Sequence, residues 1–193
     1  MSSKKPTSFK KKQSDDLFNR LKGMILGGAL GDALGAPHEF RYQKKDYTGK
    51  MEKTLILQSR WQGKRTGVIG QITDDTEMTL CLWRSIFVNN DYDRRQALMN
   101  YLEWANSKTW AMGRNTRALL LGVKTEKGYN GRVAKQDKND ISQSNGCLMR
   151  CSPLAILGVT GKDWRTAVDQ DCNLTNPTAV SYTHLTLPTI CSV

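Results

Sequence analysis

The amino-acid sequence predicts an all-α domain, and three observations support this prediction. Apolar residues recur at every third or fourth position in several segments, which is the spacing of one face of an α-helix. Only residues 54–57 have the composition of a β-strand, and no segment alternates convincingly between apolar and polar residues. The 193 residues are 38% hydrophobic, which suffices for one packed core, so we expect one domain or a large part of one.

The first helix is predicted over residues 17–35, where Leu17, Leu21 and Met24 lie on one face. Its second half is rich in glycine, and each glycine costs a helix about 1 kcal/mol relative to alanine. We therefore expect another backbone or a ligand to approach this half closely. Residues 37–72 carry several glycine and proline turn signals and predict mostly loop.

Five more helical segments follow, each with its own apolar stripe. They are predicted over residues 73–89, 94–106, 118–121, 146–157 and 164–168. Pro153 should bend or divide the fourth of these, and Asp163 should cap the last. Residues 124–144 are polar and charged and contain two glycines, which predicts a surface loop.

The net charge of +11 indicates an anionic partner, and five of the cations lie close to the N-terminus. Residues 1–16 therefore predict a disordered basic arm, either a solvated tail or a segment that binds nucleic acid. No apolar run is long enough to cross a bilayer, and no apolar stretch follows the first lysines as in a secretory signal. We expect a cytoplasmic or other intracellular protein with no membrane partner.

Five cysteines and two histidines are present, and no two cysteines form a CxxC pair. This pattern argues against a zinc site and against a disulfide framework. We therefore expect buried, reduced thiols.

Residues 181–193 (SYTHLTLPTICSV) follow neither a helical nor a strand period and continue nothing before them. We interpret this segment as a non-native tail. The domain is then represented by residues 17–180, and the native sequence is expected to continue differently after them.

The segment Thr73-Asp74-Asp75-Thr76 places two adjacent carboxylates and two hydroxyls where a loop enters a helix. One interpretation is helix capping, with Thr73 as the N-cap and the aspartates favoured by the helix dipole. The other is a hard-cation site, because magnesium and manganese bind carboxylate and hydroxyl oxygens.

Two carboxylates lie at the end of the first helix, in the segment GDALGAPHEF. Asp32 has small apolar neighbours and would need a hydrogen-bonding partner there. Glu39 follows Pro37, which ends the helix, so Glu39 lies on a loop. It is either a solvated surface carboxylate or a group that moves to meet a substrate.

Two further segments have features of an anion pocket at a helix start. Ser144, Asn145 and Gly146 either cap the helix that follows or let its backbone N–H groups face a phosphate. Gly113 and Thr116, which precede another helix, could present an anion pocket in the same way. Neither segment has the glycine pattern of a Walker or Rossmann nucleotide site.

Taken in order, five segments resemble the ADP-ribosylglycohydrolase family. They are GGALGDALGAPHEF, TDDTEM, GRNTRALLLG, SNGCLMRCSPLAI and LTNPTAV, and the likeness spans about residues 21–180. The resemblance implies a compact all-helical fold with two magnesium ions, or manganese in their place. It also implies a hydrolase that removes ADP-ribose from modified protein side chains or cleaves related ADP-ribose conjugates.

The resemblance also implies roles for individual residues. Thr73, Asp74 and Asp75 would be metal ligands, and Asp75 would also assist catalysis. Glu39 would be the mobile catalytic or gating glutamate. The segments that hold the phosphates and ribose of ADP-ribose would contribute Gly113, Thr116, Ser144, Asn145, Gly146 and Asn176.

Two departures from the family pattern restrict these implications. Thr175 is followed by Asn176, where the family commonly has histidine. The family completes its metal site with an Asp-x-Asp-Thr/Ser motif, whereas Asp169 and Asp171 lie ahead of the LTNP segment, in the wrong order for that role. We therefore expect a truncated domain that binds metal weakly, exposes apolar helix faces and is inactive alone.

Two alternatives to an enzyme remain at this point. The first is a structural or ADP-ribose-binding relative that has lost catalysis, which the intact TDDT segment disfavours. The second is a nucleic-acid-binding protein that uses the basic arm, and this one is compatible with an enzyme whose substrate is itself a modified nucleic acid.

Overall fold

A computed structural model of the chain describes residues 8–38, 50–51, 53–57, 64–109, 111–135 and 144–176. Seven α-helices account for most of these residues, so the predicted all-α class is confirmed. They are α1 (Ser8–Gly35), α2 (Asp74–Asn89), α3 (Arg94–Ala105), α4 (Arg114–Leu120), α5 (Glu126–Lys135), α6 (Ala155–Val159) and α7 (Trp164–Cys172).

Helix α1 begins at Ser8, well before the predicted start at residue 17. Lysine and glutamine fill residues 10–13, and both are good helix formers even in a run of like charges. An ion pair of 2.9 Å between Asp16 and Arg20 adds i,i+4 support. The predicted disordered arm is therefore wrong for residues 8–16, and residues 1–7 lie outside the described residues.

The prediction that residues 37–72 are mostly loop is also wrong in part. Strands β1 (Lys53–Leu57) and β2 (Lys64–Ile69) pair antiparallel in a two-stranded sheet. The composition indicated the first strand only, because Lys64, Arg65 and Thr66 give the second no apolar alternation. Backbone pairing with β1 supplies the hydrogen bonds that the side-chain pattern does not reveal.

Helix α5 lies where a surface loop was predicted. Its glycines suggested a loop, but its charges suit a helix, with Glu126 in the first turn and basic residues in the last. Tyr129 fixes the helix to the core, since its side chain is buried and its hydroxyl donates to Leu174 O at 3.0 Å. One buried aromatic group therefore outweighs the polar composition of the segment.

Pro153 divides the segment after Asn145, as predicted. Three-residue 3-10 turns cover Leu148–Arg150 and Ser152–Leu154, and α6 follows directly. Asp163 caps α7 as predicted, because its side chain accepts a hydrogen bond from the backbone N–H of Thr166. A further 3-10 turn, Ala36–His38, ends the glycine-rich part of α1.

The main hydrophobic core lies among α2–α7 and the 3-10 turns that precede α6. Its fully buried members include Met78, Leu82, Leu98, Tyr101, Leu102, Leu119, Leu120, Leu154, Leu157 and Leu174. Described side chains of α1 do not belong to this cluster. Within the described residues, no helix is both long enough and apolar enough to cross a membrane.

The four cysteines that the structure describes are free, and Cys147 and Cys172 are buried as predicted. Cys81 and Cys151 are only partly buried. Cys191 and the whole predicted tail at residues 181–193 lie outside the described residues.

Candidate metal centre

The N-terminus of α2 is capped by a side chain from another helix. Thr73 occupies the N-cap position, but its side chain makes no capping hydrogen bond. Asp32, near the end of α1, takes that role. Its Oδ2 accepts hydrogen bonds from Thr73 N at 2.8 Å, Thr76 N at 3.1 Å and Thr76 Oγ1 at 2.6 Å. Thr73 is therefore the N-cap by position, as predicted, but Asp32 supplies the capping hydrogen bonds and so has the partners that its surroundings require.

The Thr73 hydroxyl interacts with carboxylates instead. Its Oγ1 lies 2.7 Å from Asp32 Oδ1 and 3.4 Å from Asp75 Oδ2. A hydroxyl has one proton to donate and two lone pairs with which to accept. The short contact with Asp32 uses the proton, so the lone pairs of Oγ1 remain for another partner.

Asp74 and Asp75 form the first turn of α2. The backbone N–H of Gly113 donates to Asp74 Oδ2 at 3.1 Å, which brings the start of α4 to this turn. Burial raises the pKa of Asp74, and repulsion from Asp32 adds to that rise while the Gly113 hydrogen bond opposes it. Burial also raises the pKa of Asp75, assisted by repulsion from Asp74 and then from Asp32.

These groups fit a divalent cation. Three carboxylates crowd one helix start, and in the part of the chain that the structure describes none of them is paired with a lysine or arginine. A cation beside them would offset the repulsion that adds to the effect of burial in raising the pKa values of Asp74 and Asp75. The available donors are carboxylate and hydroxyl oxygens, which magnesium and manganese prefer.

The described residues nevertheless supply only part of a metal site. Among them, no group of three histidine, cysteine, aspartate or glutamate side chains is arranged to hold a metal ion. Thr73, Asp74 and Asp75 offer two carboxylates and one hydroxyl, whereas magnesium requires octahedral coordination. Further ligands would have to come from water, from substrate or from residues outside the described ones.

Asp171 is not one of those further ligands, because its carboxylate forms a buried ion pair with an arginine. Arg150 is 0% exposed, and its Nε lies 2.9 Å from Asp171 Oδ2. The Tyr101 hydroxyl donates to Asp171 Oδ1 at 3.0 Å, and the Arg150 guanidinium lies over the Tyr101 ring. Sequence reasoning missed this pair, although an arginine within the apolar run LMRCSPL was a signal for it.

The arginine also supports the predicted substrate-binding loop. Its Nη1 donates to Thr175 Oγ1 at 2.8 Å, and the Thr175 hydroxyl donates to Asn176 Oδ1 at 2.7 Å. The Asn176 amide then donates to Ser144 O at 2.7 Å and lies 3.1 Å from Ser144 Oγ. Asn176 is buried and both ends of its amide are used, so it holds the loop that carries Ser144 and Gly146.

The structure brings the other predicted residues together only in part. Gly113 contacts Asp74, whereas Thr116 is buried within α4. Asn145 is exposed on the loop beside Ser144. Glu39 lies outside the described residues. The Thr79 hydroxyl joins the two regions, because it donates to Asp75 O at 2.7 Å and lies 3.4 Å from Met149 O.

A cleft of about 170 Å³ opens beside this helix start, between α1 and α2. Its lining includes Gly28, Asp32, Asp75 and Met149. The glycines of α1 face open space, since a Cβ built at Gly28 or at Gly31 would meet no described atom within 4 Å. The expected close approach of another backbone is therefore not found among the described residues, and the glycine-rich surface forms a cleft wall.

Comparison with known proteins identifies the family. The chain matches the model of ADP-ribosylglycohydrolase over residues 13–185, which is most of its length. The chain belongs to the ADP-ribosylglycohydrolase family. The resemblance seen in the five sequence segments is thereby confirmed.

Two relatives carry informative names. The chain is 31% identical over 142 residues to the ADP-ribosyl-[dinitrogen reductase] glycohydrolase of Rhodospirillum rubrum, covering 72% of this chain and 45% of that protein. It is 27% identical over 150 residues to an ADP-ribosylarginine hydrolase of Pseudomonas putida, covering 74% of this chain and 37% of that protein. The chain therefore spans about half the length, or less, of these family members.

A solved structure shows the same fold. A chain of an ADP-ribosylglycohydrolase-related protein complex superposes with a TM-score of 0.56 at 24% identity, covering 83% of this chain and 50% of the other. The helical architecture described above thus matches about half of that chain.

Proposed function

We propose that the domain represented by this chain hydrolyses the glycosidic bond between ADP-ribose and a modified protein side chain or related conjugate. The observation that carries the proposal is the crowding of Asp32, Asp74 and Asp75 at the start of α2, with the Thr73 hydroxyl among them. Membership of the ADP-ribosylglycohydrolase family supports the reaction class.

Thr73 Oγ1 and the carboxylates of Asp74 and Asp75 would hold magnesium or manganese. Such an ion, when bound, supplies positive charge for the ribose hydroxyls and lowers the pKa of a coordinated water. The backbone N–H of Gly113 donates to Asp74 Oδ2 and leaves the other oxygen, Oδ1, available as a ligand. Asp75 lines the cleft, where its carboxylate can accept a proton. Glu39 would share this role.

The loop of Ser144, Asn145 and Gly146 would bind the phosphates and ribose. Ser144 and Asn145 are exposed, so their polar groups are accessible to a ligand. The hydrogen bonds from Asn176 hold the loop in one conformation, which reduces the entropy lost on binding. Gly113 and Thr116 contribute the second such segment.

The substrate class follows from the family and from the names of the relatives. The two relatives named above act, by their names, on ADP-ribosylated dinitrogen reductase and on ADP-ribosylarginine. We propose an ADP-ribosylated protein as the substrate here, with the parent protein as the enzyme.

A second candidate is ADP-ribose binding without turnover. It is favoured by the incomplete set of ligands that the described residues supply at α2. On either proposal, binding of ADP-ribose should depend on the cation.

The test is a calorimetric titration of the chain with ADP-ribose, with and without magnesium. We expect magnesium to tighten binding, and we expect Asp74→Ala with Asp75→Ala to abolish that effect. Binding that ignores both magnesium and the double substitution would refute the metal centre. ADP-ribose release from ADP-ribosylated arginine and serine peptides, measured with the parent protein, separates an enzyme from a binding protein.

A further inference from the structure

The two carboxylate oxygens of Asp32 accept different numbers of hydrogen bonds. Oδ2 accepts three hydrogen bonds, two from the backbone N–H groups of Thr73 and Thr76 and one from the Thr76 hydroxyl. Oδ1 has one partner among the described residues, the Thr73 hydroxyl at 2.7 Å. One oxygen therefore caps α2, and the other contacts a proposed metal ligand.

The contact through Oδ1 determines where the Thr73 proton lies. Thr73 Oγ1 is 2.7 Å from Asp32 but 3.4 Å from Asp75, and a hydroxyl carries one proton. The proton therefore lies on the line to Asp32. Since a cation can be bound only through an oxygen lone pair, this orientation leaves Oγ1 ready to act as a ligand.

We propose that Asp32 is a positioning residue that orients the Thr73 hydroxyl for cation binding. The inference rests on the proposed function, because it assumes that Thr73 is a ligand. Asp32 acts twice: it caps α2, which frees Thr73 from capping, and it withdraws the hydroxyl proton from the cation's side. Groups that contact metal ligands in this way typically contribute about 10- to 100-fold to metal affinity.

Asp32→Asn separates the two actions. The amide oxygen should occupy the Oδ2 position, where the two backbone N–H groups require an acceptor. The amide NH₂ then faces Thr73 Oγ1 and donates to it, so the hydroxyl must turn its own proton outward. The variant should keep the cap but lose the orientation of Thr73.

The experiment is a manganese titration of the 193-residue chain. Binding is measured by calorimetry and by the electron paramagnetic resonance signal of free manganese. Four proteins are compared: the wild type, Asp32→Asn, Thr73→Val and the double variant. We expect each single substitution to weaken manganese binding by about 10- to 100-fold. The double variant should bind no more weakly than Thr73→Val, because Asp32 acts through the hydroxyl.

Additive losses would overturn the proposal, since they would show that Asp32 acts only by its charge. Wild-type affinity in Asp32→Asn would overturn it as well. If Asp32→Asn does not fold, Thr73→Ser and Thr73→Val decide: the serine variant should bind manganese like the wild type, and the valine variant should bind it about 10- to 100-fold more weakly. Equal binding by these two would overturn the proposal.

Thr76→Val is the matched control. It removes a hydroxyl that donates to Oδ2 and leaves the contact between Oδ1 and Thr73 intact. We expect it to lower the denaturation midpoint while manganese affinity stays at the wild-type value. A wild-type chain that binds no manganese would refute the proposed function itself, whereas a loss confined to Asp74→Ala and Asp75→Ala would refute only the role of Asp32.

Discussion

At the scale of single residues, two groups of buried or partly buried charges differ in whether a charge of opposite sign accompanies them. Arg150 and Asp171 form an ion pair that is removed from water and completed by Tyr101 and Thr175. Asp32, Asp74 and Asp75 are like charges with no such basic partner among the described residues. The first arrangement stabilises the fold, and the second is the one that we propose as part of a cation site.

Arg150→Ala should destabilise the chain strongly. The substitution leaves the Asp171 carboxylate buried without its cation, and breaking a buried pair in this way costs about 3–5 kcal/mol. Urea denaturation monitored by tryptophan fluorescence measures the free energy of unfolding. Arg165→Ala, which removes an exposed arginine of α7, is the control and should change that free energy by less than about 0.5 kcal/mol. Equal losses in the two variants would contradict the structural role.

Asp75→Asn should stabilise the metal-free chain at neutral pH. Because burial and its neighbours raise the pKa of Asp75 above its ordinary value of 3.8, the folded state holds the proton more tightly than the unfolded state. Wild-type stability therefore falls as the pH rises through the raised pKa, and the asparagine variant escapes this loss.

The check is the midpoint of thermal denaturation, measured in the presence of a metal chelator from pH 3.5 to pH 8. We expect the midpoint of Asp75→Asn to exceed that of the wild type at pH 7 and to approach it in acid. Asp15→Asn, at an exposed position on α1, provides the comparison. A gain that is the same at every pH would contradict the assignment to the Asp75 carboxyl group.

At the scale of elements, most helices were predictable, and the errors have physical reasons. The periodic segments of α2 and α3 were predicted within about a residue, because apolar spacing is a strong signal. The β2 strand and α5 were missed because each depends on a distant partner: the β1 backbone in one case and Leu174 in the other. Such contacts leave little trace in the local composition.

The candidate site was predictable as a list of residues but not as a geometry. The TDDT segment and the order of the other segments predict a metal centre, which stays a prediction, and the structure brings Gly113 into contact with Asp74. The exchange of capping roles between Thr73 and Asp32 was not predictable, since the two residues are 41 positions apart. Asn176 proved to be a buried support of the Ser144 loop, a role that depends on Arg150 and Thr175.

Tyr129→Phe tests the attachment of α5. The change removes the hydroxyl that donates to Leu174 O and keeps the buried ring. A buried acceptor left unsatisfied costs about 1–3 kcal/mol, so the free energy of unfolding should fall by that amount. Hydrogen exchange of the α5 amides should accelerate more than that of α3. Uniform acceleration across both helices would show that α5 is not separately attached.

At the scale of the whole molecule, charge and apolar surface are both unevenly distributed. Exposed apolar side chains occur on α1 and α2, among them Leu26, Leu30, Phe87 and Val88. The expectation that whole apolar helix faces would be exposed stays a prediction, because single exposed apolar side chains are common on protein surfaces. The basic residues at the start of α1 extend the positive charge along a helix instead of a flexible arm.

Lys10→Gln, Lys11→Gln and Lys12→Gln together test the nucleic-acid interpretation, which stays a prediction. Glutamine keeps the helix propensity and removes three charges. If these lysines contact phosphates, the slope of log affinity against log salt for duplex DNA should become shallower by about 2–3. Fluorescence anisotropy measures it. Glutamine at Lys124, Lys127 and Lys135 is the control, and an equal change there would point to a diffuse effect of net charge.

The cap that Asp32 places on α2 ties the candidate centre to a helix that stands outside the main core. Partial opening of α1 should therefore require less free energy than global unfolding. Such an opening would remove the acceptor from α2 and release the Thr73 hydroxyl, while the core around Leu82 and Leu102 stayed packed. A sample can then give a native circular dichroism spectrum and still contain molecules that are unable to bind a cation. A folded core alone should therefore not guarantee that the chain binds a cation.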